Sequence, residues 1–555
     1  MDFLTQMWQN NRSLSILIAT LIIILPFLIF YVRKARREHP KGLLSAALSN
    51  MGERFGYYIM NAVLALFLCS KFGLSDTQSG LIYSFFYSGI YVLALVGGII
   101  ADRTSNYKGT IQKGLIIMAL GYIMLSIPIF ATPDNKIWLL PFTCVALFLI
   151  AFGNGLFKGN LQALVGQLYD NFEAEAAKEG PEALAKAKSK RDEGFQIFYV
   201  FINIGGVIAP FVAPLLRAWW LKAHHLVYNA QLPRLCHEYI VNGNLHENFT
   251  AEAEKALEDP TVLGSVVDNV GDFAAQYLDV FNTGIHYSFI ASVAAMVISL
   301  LIFVATKKVL PNPGKKEAKA VVDYTEEEKL AMAKEIKQRL YALFAVLGIV
   351  IFFWFSFHQN GQSLSFFARD FVTTDAIAPE IWQALNPFYV IALTPLVMLL
   401  FAWLVRKGRE ISTPKKIAYG MGIAAMAYLL LVIVSSKMGY PSATAFLAQA
   451  TAVQEASKIG PWVLIALYFF LTVAELFISP LGLSFVSKVA PKHLQGLCQG
   501  LWLGATAVGN LFLFLGPKMY NVMPLWQCWG VFLILCLLSM GVMLGMVKWL
   551  ERVTK

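Results

Sequence analysis

The sequence predicts an all-α membrane protein of two six-helix bundles, preceded by one extra N-terminal transmembrane helix. Three observations predict it. Of 555 residues, 57% are hydrophobic and only 14% are charged, where a soluble globular protein carries about 25% charged residues. A soluble chain lacks enough interior to hide this much apolar surface, which excludes a soluble multi-domain enzyme, a disordered chain and a nucleic-acid binder. Apolar runs of about 20 residues, long enough to cross a bilayer as helices, recur along the whole chain. Finally, 45 Lys and Arg stand against 35 Asp and Glu, a net charge of +10, and the excess reads as topology because basic residues accumulate on cytoplasmic loops.

The first run, 14–32, is followed by Arg33, Lys34, Arg36, Arg37 and Lys41. It is long for the core of a signal peptide and no small-residue cleavage site follows, so it predicts a retained helix. Twelve more runs lie at roughly 44–70, 78–101, 110–131, 138–168, 193–219, 284–306, 339–360, 381–405, 415–436, 461–487, 495–516 and 525–549. The basic segments 33–41, 103–113, 307–339, 405–416 and 488–493 fall on one side if the helices alternate. That side is the cytoplasm. The N-terminus is then outside and the C-terminus cytoplasmic.

The Ala-, Glu- and Lys-rich segment 169–192 predicts a cytoplasmic amphipathic helix, and the outer loop 220–283 a small helical cap. Segment 307–337, opening on Pro311-Asn312-Pro313-Gly314 and densely charged, predicts a linker between two halves. The expected domains are therefore 1–43 (extra helix and basic segment), 44–306 (first bundle, with an insertion at 221–283), 307–338 (linker) and 339–555 (second bundle). Six plus six about a central linker is the layout of a transporter built from two repeats.

Six scattered cysteines form no disulfide framework, and no CxxC or HExxH pattern occurs. The sequence therefore predicts no metal site, no cofactor and no catalytic residue.

Ionisable groups at bilayer depth are costly, and are the most informative residues in such a chain. Glu53 and Arg54 lie about ten residues into their run, about 15 Å deep at 1.5 Å per residue. Tyr57 and Tyr58 follow one turn later on the same stripe. Lys158 sits in Gly153-Asn-Gly-Leu-Phe-Lys158-Gly-Asn160, Glu475 five residues before Pro480, and His358 toward the outer end of its helix. Each has a plain structural reading: an ion pair that locks helices, a snorkelling lysine, a gate between Lys158 and Glu475, a packed histidine. Their number favours a central polar cavity. Two cations and a carboxylate suit a zwitterion, held by its carboxylate at one end and its ammonium at the other.

Residues 97–103, Gly-Gly-Ile-Ile-Ala-Asp-Arg, followed by Lys108 and Lys113, resemble the loop motif between the second and third helices of the major facilitator superfamily. The likeness implies that fold, with Asp102 and Arg103 as gating residues pairing across the inner gate. Further segments resemble the proton-coupled oligopeptide transporter family of that superfamily. Glu53-Arg54-Phe55 with Tyr57-Tyr58 is similar to its ExxERFxYY motif, and residues 195–210 (FQIFYVFINIGGVIAP) to its FSxFYxxINxG signature. LFKGN around Lys158, ALNPFYVIALTP at 384–395 and AELFISPLGLSFVSKVAP at 474–491 match three more of its helices. The likeness runs from about residue 44 to 516.

The resemblance implies import of di- and tripeptides by proton symport and alternating access, in the inner (plasma) membrane of a bacterium, with the lipid bilayer as the other partner. It implies that Arg54 and Lys158 face the peptide carboxylate and Glu475 its amino terminus. Tyr57, Tyr58, Tyr91, Asn203, Asn386, Ser479 and Trp502 fall on positions that line the family's pocket. Two departures bear on coupling. The first glutamate of ExxERFxYY falls on Asn50, and the seventh-helix carboxylate on His358. Proton coupling is therefore expected at Glu53 and His358, whose unperturbed pKa near 6.5 suits a switch. An alternative on the same fold is a transporter of an anion such as nitrate, or another small solute, with altered proton coupling. A non-transporting receptor is disfavoured by the retained Arg54, Lys158 and Glu475. An enzyme is disfavoured because the carboxylates and His358 are spread over separate helices.

Overall fold

The computed structural model describes residues 12–243, 245–311, 326–374, 377–409, 411–489 and 495–554. Among them thirteen helices are long and apolar enough to cross a membrane, one for each run in the sequence. No extended strand forms among the described residues; two isolated bridges, Leu226–Leu257 and Val372–Ile459, pin loops. Of the expected linker 307–338, residues 312–325 lie outside the described residues and 326–338 belong to the helix Glu326–Phe357; most of the basic segment 488–493 also lies outside the described residues.

The helices are α1 (Arg12–Glu38), α2 (Gly42–Phe72), α3 (Asp76–Thr104), α4 (Tyr107–Ser126), α5 (Lys136–Glu179) and α6 (Pro181–Ala223). Short α7 (Leu232–Asn242), α8 (Phe249–Lys255) and α9 (Leu263–Asp268) precede α10 (Val270–Thr306). Then come α11 (Glu326–Phe357), short α12 (Ser363–Asp370), α13 (Leu385–Arg406) and α14 (Thr413–Met438). Short α15 (Ala443–Leu447) and α16 (Thr451–Ser457), α17 (Trp462–Val489), α18 (Gln495–Leu511), short α19 (Leu515–Val522) and α20 (Leu525–Thr554) complete the chain.

Local chemistry sets the breaks. Gly73 takes the left-handed conformation (φ 61°) that ends α2, and Ser75 with Gln78 forms a reciprocal capping box that starts α3. At 169–192 the expected separate amphipathic helix is not what forms. The charged stretch instead extends α5 and α6 beyond their apolar parts, broken only at Gly180 (φ 130°) and Pro181. Glycine permits that angle, and proline at a first helical position costs no hydrogen bond. Helix α10 likewise begins at Val270 rather than 284. Exposed Asp272 and Asp279 interrupt the apolar run, but Phe273, Tyr277 and Phe281 recur at helical spacing and are buried under the cap. The part outside the long helices is thus 224–269.

Helices α2 to α6 and α10 pack mainly on one another, and α11, α13, α14, α17, α18 and α20 do the same. The two groups meet through α3 against α18 and through α6 against α13 and the 3-10 turn Pro379–Ala384. Helix α2 lies centrally, with 78% of its apolar window buried, while α1 has 11% and the segment Pro379–Arg406 only 6%. Large apolar side chains such as Ile22, Phe30, Leu396 and Leu399 therefore point outward, as lipid-facing residues do. The extra helix α1 packs on α6, where Ile24, Ile204 and Val207 form a small buried cluster. Its basic end is tied down by Lys34 to Glu193 and by Glu38 to Lys190 at 2.5 Å.

Candidate functional site

Three helices of the first group build the cationic side. On α2, Glu53 is fully buried and Arg54 nearly so. Arg54 Nε and Nη2 donate to the two Glu53 carboxylate oxygens at 2.5 and 2.8 Å, and Asn154 Nδ2 of α5 donates to Glu53 Oε1 at 2.7 Å. The ion pair joins adjacent residues, so it does not lock helices; Asn154 is what ties α2 to α5. The Arg54 guanidinium carbon lies 4.8 Å from the centre of the Tyr57 ring. The Tyr57 and Tyr83 hydroxyls both donate to Asn61 Oδ1, at 3.3 and 3.1 Å.

Lys158 lies one turn past Asn154 on α5, with its ammonium 5.1 Å from the Tyr91 ring centre. Glycines set that distance. A Cβ at Gly97 of α3 or Gly155 of α5 would collide with the other helix's backbone, so the two helices touch main chain to main chain. Lys158 makes no ion pair among the described residues. The expected Lys158–Glu475 gate is not formed, because each side chain keeps to its own half.

On the facing side, Glu475 of α17 accepts from Asn386 Nδ2 of α13 at 2.8 Å, and the same amide donates to Thr472 Oγ1 at 3.1 Å. Tyr58 and Tyr91 lie within electrostatic reach of both Arg54 and Glu475, which places the cations and the carboxylate around one space. Gly206 of α6 fits between Tyr58 and Pro387, so α6 can approach both halves closely. Asn203 is buried and donates to Tyr199 O one turn earlier at 3.0 Å. Ser479 follows Glu475 on the same helical face and is half-buried, and Trp502 is buried against Gly482.

His358 is buried at the first residue of a 3-10 turn, since α11 stops at Phe357 rather than 360. Tyr87, Trp354 and Asn510 surround it. Asp102 and Arg103 sit in the exposed last turn of α3, far from this cluster along the helix. Among the described residues neither pairs across to the second group; Asp102 accepts from the hydroxyl of Tyr107, five residues away across the turn.

The end of the bundles that carries the cap holds a second polar network with no counterpart among the sequence expectations. Arg369 of α12 donates to both oxygens of Asp76 at 3.1 and 3.0 Å and to Asp370 at 2.7 Å. Asp370 also accepts from Gln231 of the cap at 2.9 Å and from Tyr520 of α19 at 2.9 Å. Buried Arg217 of α6 donates to Glu380 at 2.8 Å while lying 4.2 Å from the Tyr228 ring centre. The cap reaches the second group again through Asn248, which donates to Gln449 O at 2.8 Å and accepts from Thr451 N at 3.0 Å. Lys255 pairs with Glu455 at 3.2 Å. The signal for Arg217 was present, since it lies within the run 193–219. The signal for Asn154 was its position four residues before Lys158. Nothing local marked Asn510 or Gln231.

Against known proteins, a model of the POT family (PTR2) matches residues 108–327 and 315–525. The chain is 26% identical to dipeptide and tripeptide permease B of Salmonella typhimurium over 85% of this chain and 86% of that one. It is 27% identical to the peptide transporter YePEPT of Yersinia enterocolitica subsp. palearctica, with the same coverage. Among solved structures it resembles the peptide transporter POT in complex with sulfate, with a TM-score of 0.64, 20% identity, and coverage of 93% of this chain and 96% of that one. A POT family transporter in complex with 5-aminolevulinic acid gives 0.65 and 19%, covering 94% and 98%.

Proposed function

The chain belongs to the POT family, and from that premise we propose that it imports di- and tripeptides by proton symport with alternating access. It is an integral membrane protein of the bacterial inner membrane and not an enzyme. Residues 44–306 and 339–555 act as the two rocking bundles, with α1 as an accessory helix. The N-terminus lies outside and the C-terminus in the cytoplasm.

One observation carries this reading. Among the described residues the Lys158 ammonium has no carboxylate partner; it stands within electrostatic reach of Arg54, and the other half holds Glu475. A peptide is the ligand that completes such an arrangement, its carboxylate on Lys158 and Arg54 and its ammonium on Glu475. Tyr57, Tyr58, Tyr91, Asn203, Asn386, Ser479 and Trp502 line the space between. Binding the termini while leaving apolar room for side chains gives broad peptide selectivity. A bare anion would leave Glu475 unmatched, so the nitrate reading is not favoured. Glu53, held by Arg54 and Asn154, and His358 are the proton-coupling groups. Asp102 and Arg103 gate the inner end in a state where the outer end opens.

Uptake into liposomes reconstituted with the purified protein tests the reading. Proton-driven, competable dialanine uptake without nitrate uptake supports it, and indifference to every peptide in a panel overturns it.

A further inference from the structure

His358 occupies a seam. Its ring stacks on Trp354 of α11 with centroids 4.8 Å apart, meets the Tyr87 ring edge-on at 4.8 Å, and lies 6.4 Å from Tyr91. Trp354 belongs to the second group of helices and both tyrosines to α3 of the first. Phe357 closes the near side at 5.4 Å. On the remaining side, Nδ1 is 2.6 Å from Oδ1 of Asn510 on α18. An amide oxygen only accepts, so this contact fixes the proton of the neutral ring on Nδ1 and leaves the lone pair on Nε2. Nε2 has no hydrogen-bond partner among the described residues.

The ionisable groups around the ring come from three elements. Tyr87 and Tyr91 face it from α3, and Lys158 of α5 lies within electrostatic reach. Tyr468 of α17 reaches only the neighbouring Asn360 carbonyl, at 3.4 Å. Asn510, from α18, is uncharged. No carboxylate touches the ring among the described residues.

We propose that Asn510 is a positioning residue for a proton site at His358 Nε2, and that the peptide carboxylate makes that site favourable to fill. The inference rests on the peptide-symport reading above and deepens it. A proton on Nε2 creates an imidazolium facing the Lys158 ammonium, and like charges disfavour each other. The faces of Trp354 and the tyrosines offset part of that cost. A carboxylate entering between Lys158 and Nε2–H offsets the rest, accepting a charge-assisted hydrogen bond from each. Proton and peptide then raise each other's affinity by the same factor. One proton is taken up on Nε2 with the peptide and one is released from Nε2 when it leaves. A carboxylic acid couples by losing negative charge; this site couples by gaining positive charge that only an anionic group can match.

Reconstituted protein tests this through dialanine uptake and dialanine binding measured at a series of pH values from acidic to alkaline. Asn510→Asp keeps the acceptor and adds a negative charge, so the midpoint of the pH–uptake curve moves up by about 1–3 pH units. Asn510→Leu removes the acceptor; it retains dialanine binding at the alkaline end and loses the rise in affinity on acidification. Dialanine amide, without a carboxylate, shows no such rise in the wild type. Wild-type pH profiles in both Asn510 variants overturn the positioning role, and His358→Gln that still concentrates dialanine with the wild-type pH profile overturns the proton site. A wild type that binds no dialanine at any pH overturns the peptide reading itself.

Discussion

At the cap end Arg369 reaches Asp76 across the two groups of helices, whereas in the candidate site Arg54 has Glu53, the residue beside it, as its ion-pair partner among the described residues. Among the described residues each carboxylate of that network meets a guanidinium, and only Arg217 Nε within it is left buried without a hydrogen-bond partner. Asp370 has Arg369, Gln231 and Tyr520, and Arg217 has Glu380 and two aromatic faces. The cavity satisfies its charges within each half, through Asn154 for Glu53 and Asn386 for Glu475, and leaves Lys158 and His358 Nε2 without partners from the described residues. The same side-chain types thus do different work according to where their partners stand. Pairs that cross the halves tie them together at the cap end, and pairs within a half leave the two halves of the candidate site unjoined by ion pairs among the described residues.

The sharpest way to break this contrast is at Lys158. Lys158→Ala is expected to reduce dialanine uptake by more than about a hundredfold, the loss of a buried charge partner for the carboxylate, without lowering the melting temperature in detergent. A large fall in stability instead would make Lys158 a structural residue like those outside.

Next, a short thiol-reactive cross-linker across Lys255→Cys and Glu455→Cys joins the cap to the second half. It is expected to abolish transport while peptide binding from the inner side persists. A monofunctional thiol reagent on the same variant should leave uptake intact. Unchanged uptake after verified cross-linking would mean that the cap does not separate from the second half.

Arg217→Ala strands the Glu380 carboxylate in a buried site, at a cost of about 3–5 kcal/mol, and is expected to give a marked drop in melting temperature. The Lys255–Glu455 pair is solvent-exposed. Its removal is expected to change stability by about 0–1 kcal/mol, less as salt rises.

The smallest effect is pH-dependent. His237 of α7 is held below its usual 6.5, first by burial, with Lys136 adding to the depression against the opposing hydrogen bond to Ser70 O. Its neutral form is the one that docks the cap on α2. The undocked state therefore binds more protons, and docking stability is full above about pH 6.5 and falls as pH drops toward the depressed value. Hydrogen exchange of 224–269 should quicken on acidification, and His237→Gln should flatten that response.

Thirteen spans were legible because burying a chain in lipid demands long apolar helices, a constraint that acts locally and shows in composition. Glu53, Arg54, Lys158 and Glu475 were legible for the same reason, since a charge inside such a run stands out. Hydropathy understates the extents of α5, α6 and α10, because their charged turns are helical for reasons of packing and capping. The sequence by itself determined the helix count, the family likeness and the few intramembrane charges. Only the tertiary structure decided which charges are matched within a half, which cross between halves, and that Asn510 faces His358 from 152 positions away. Partnership is a matter of distance in space, and hydropathy and short motifs record only neighbours along the chain.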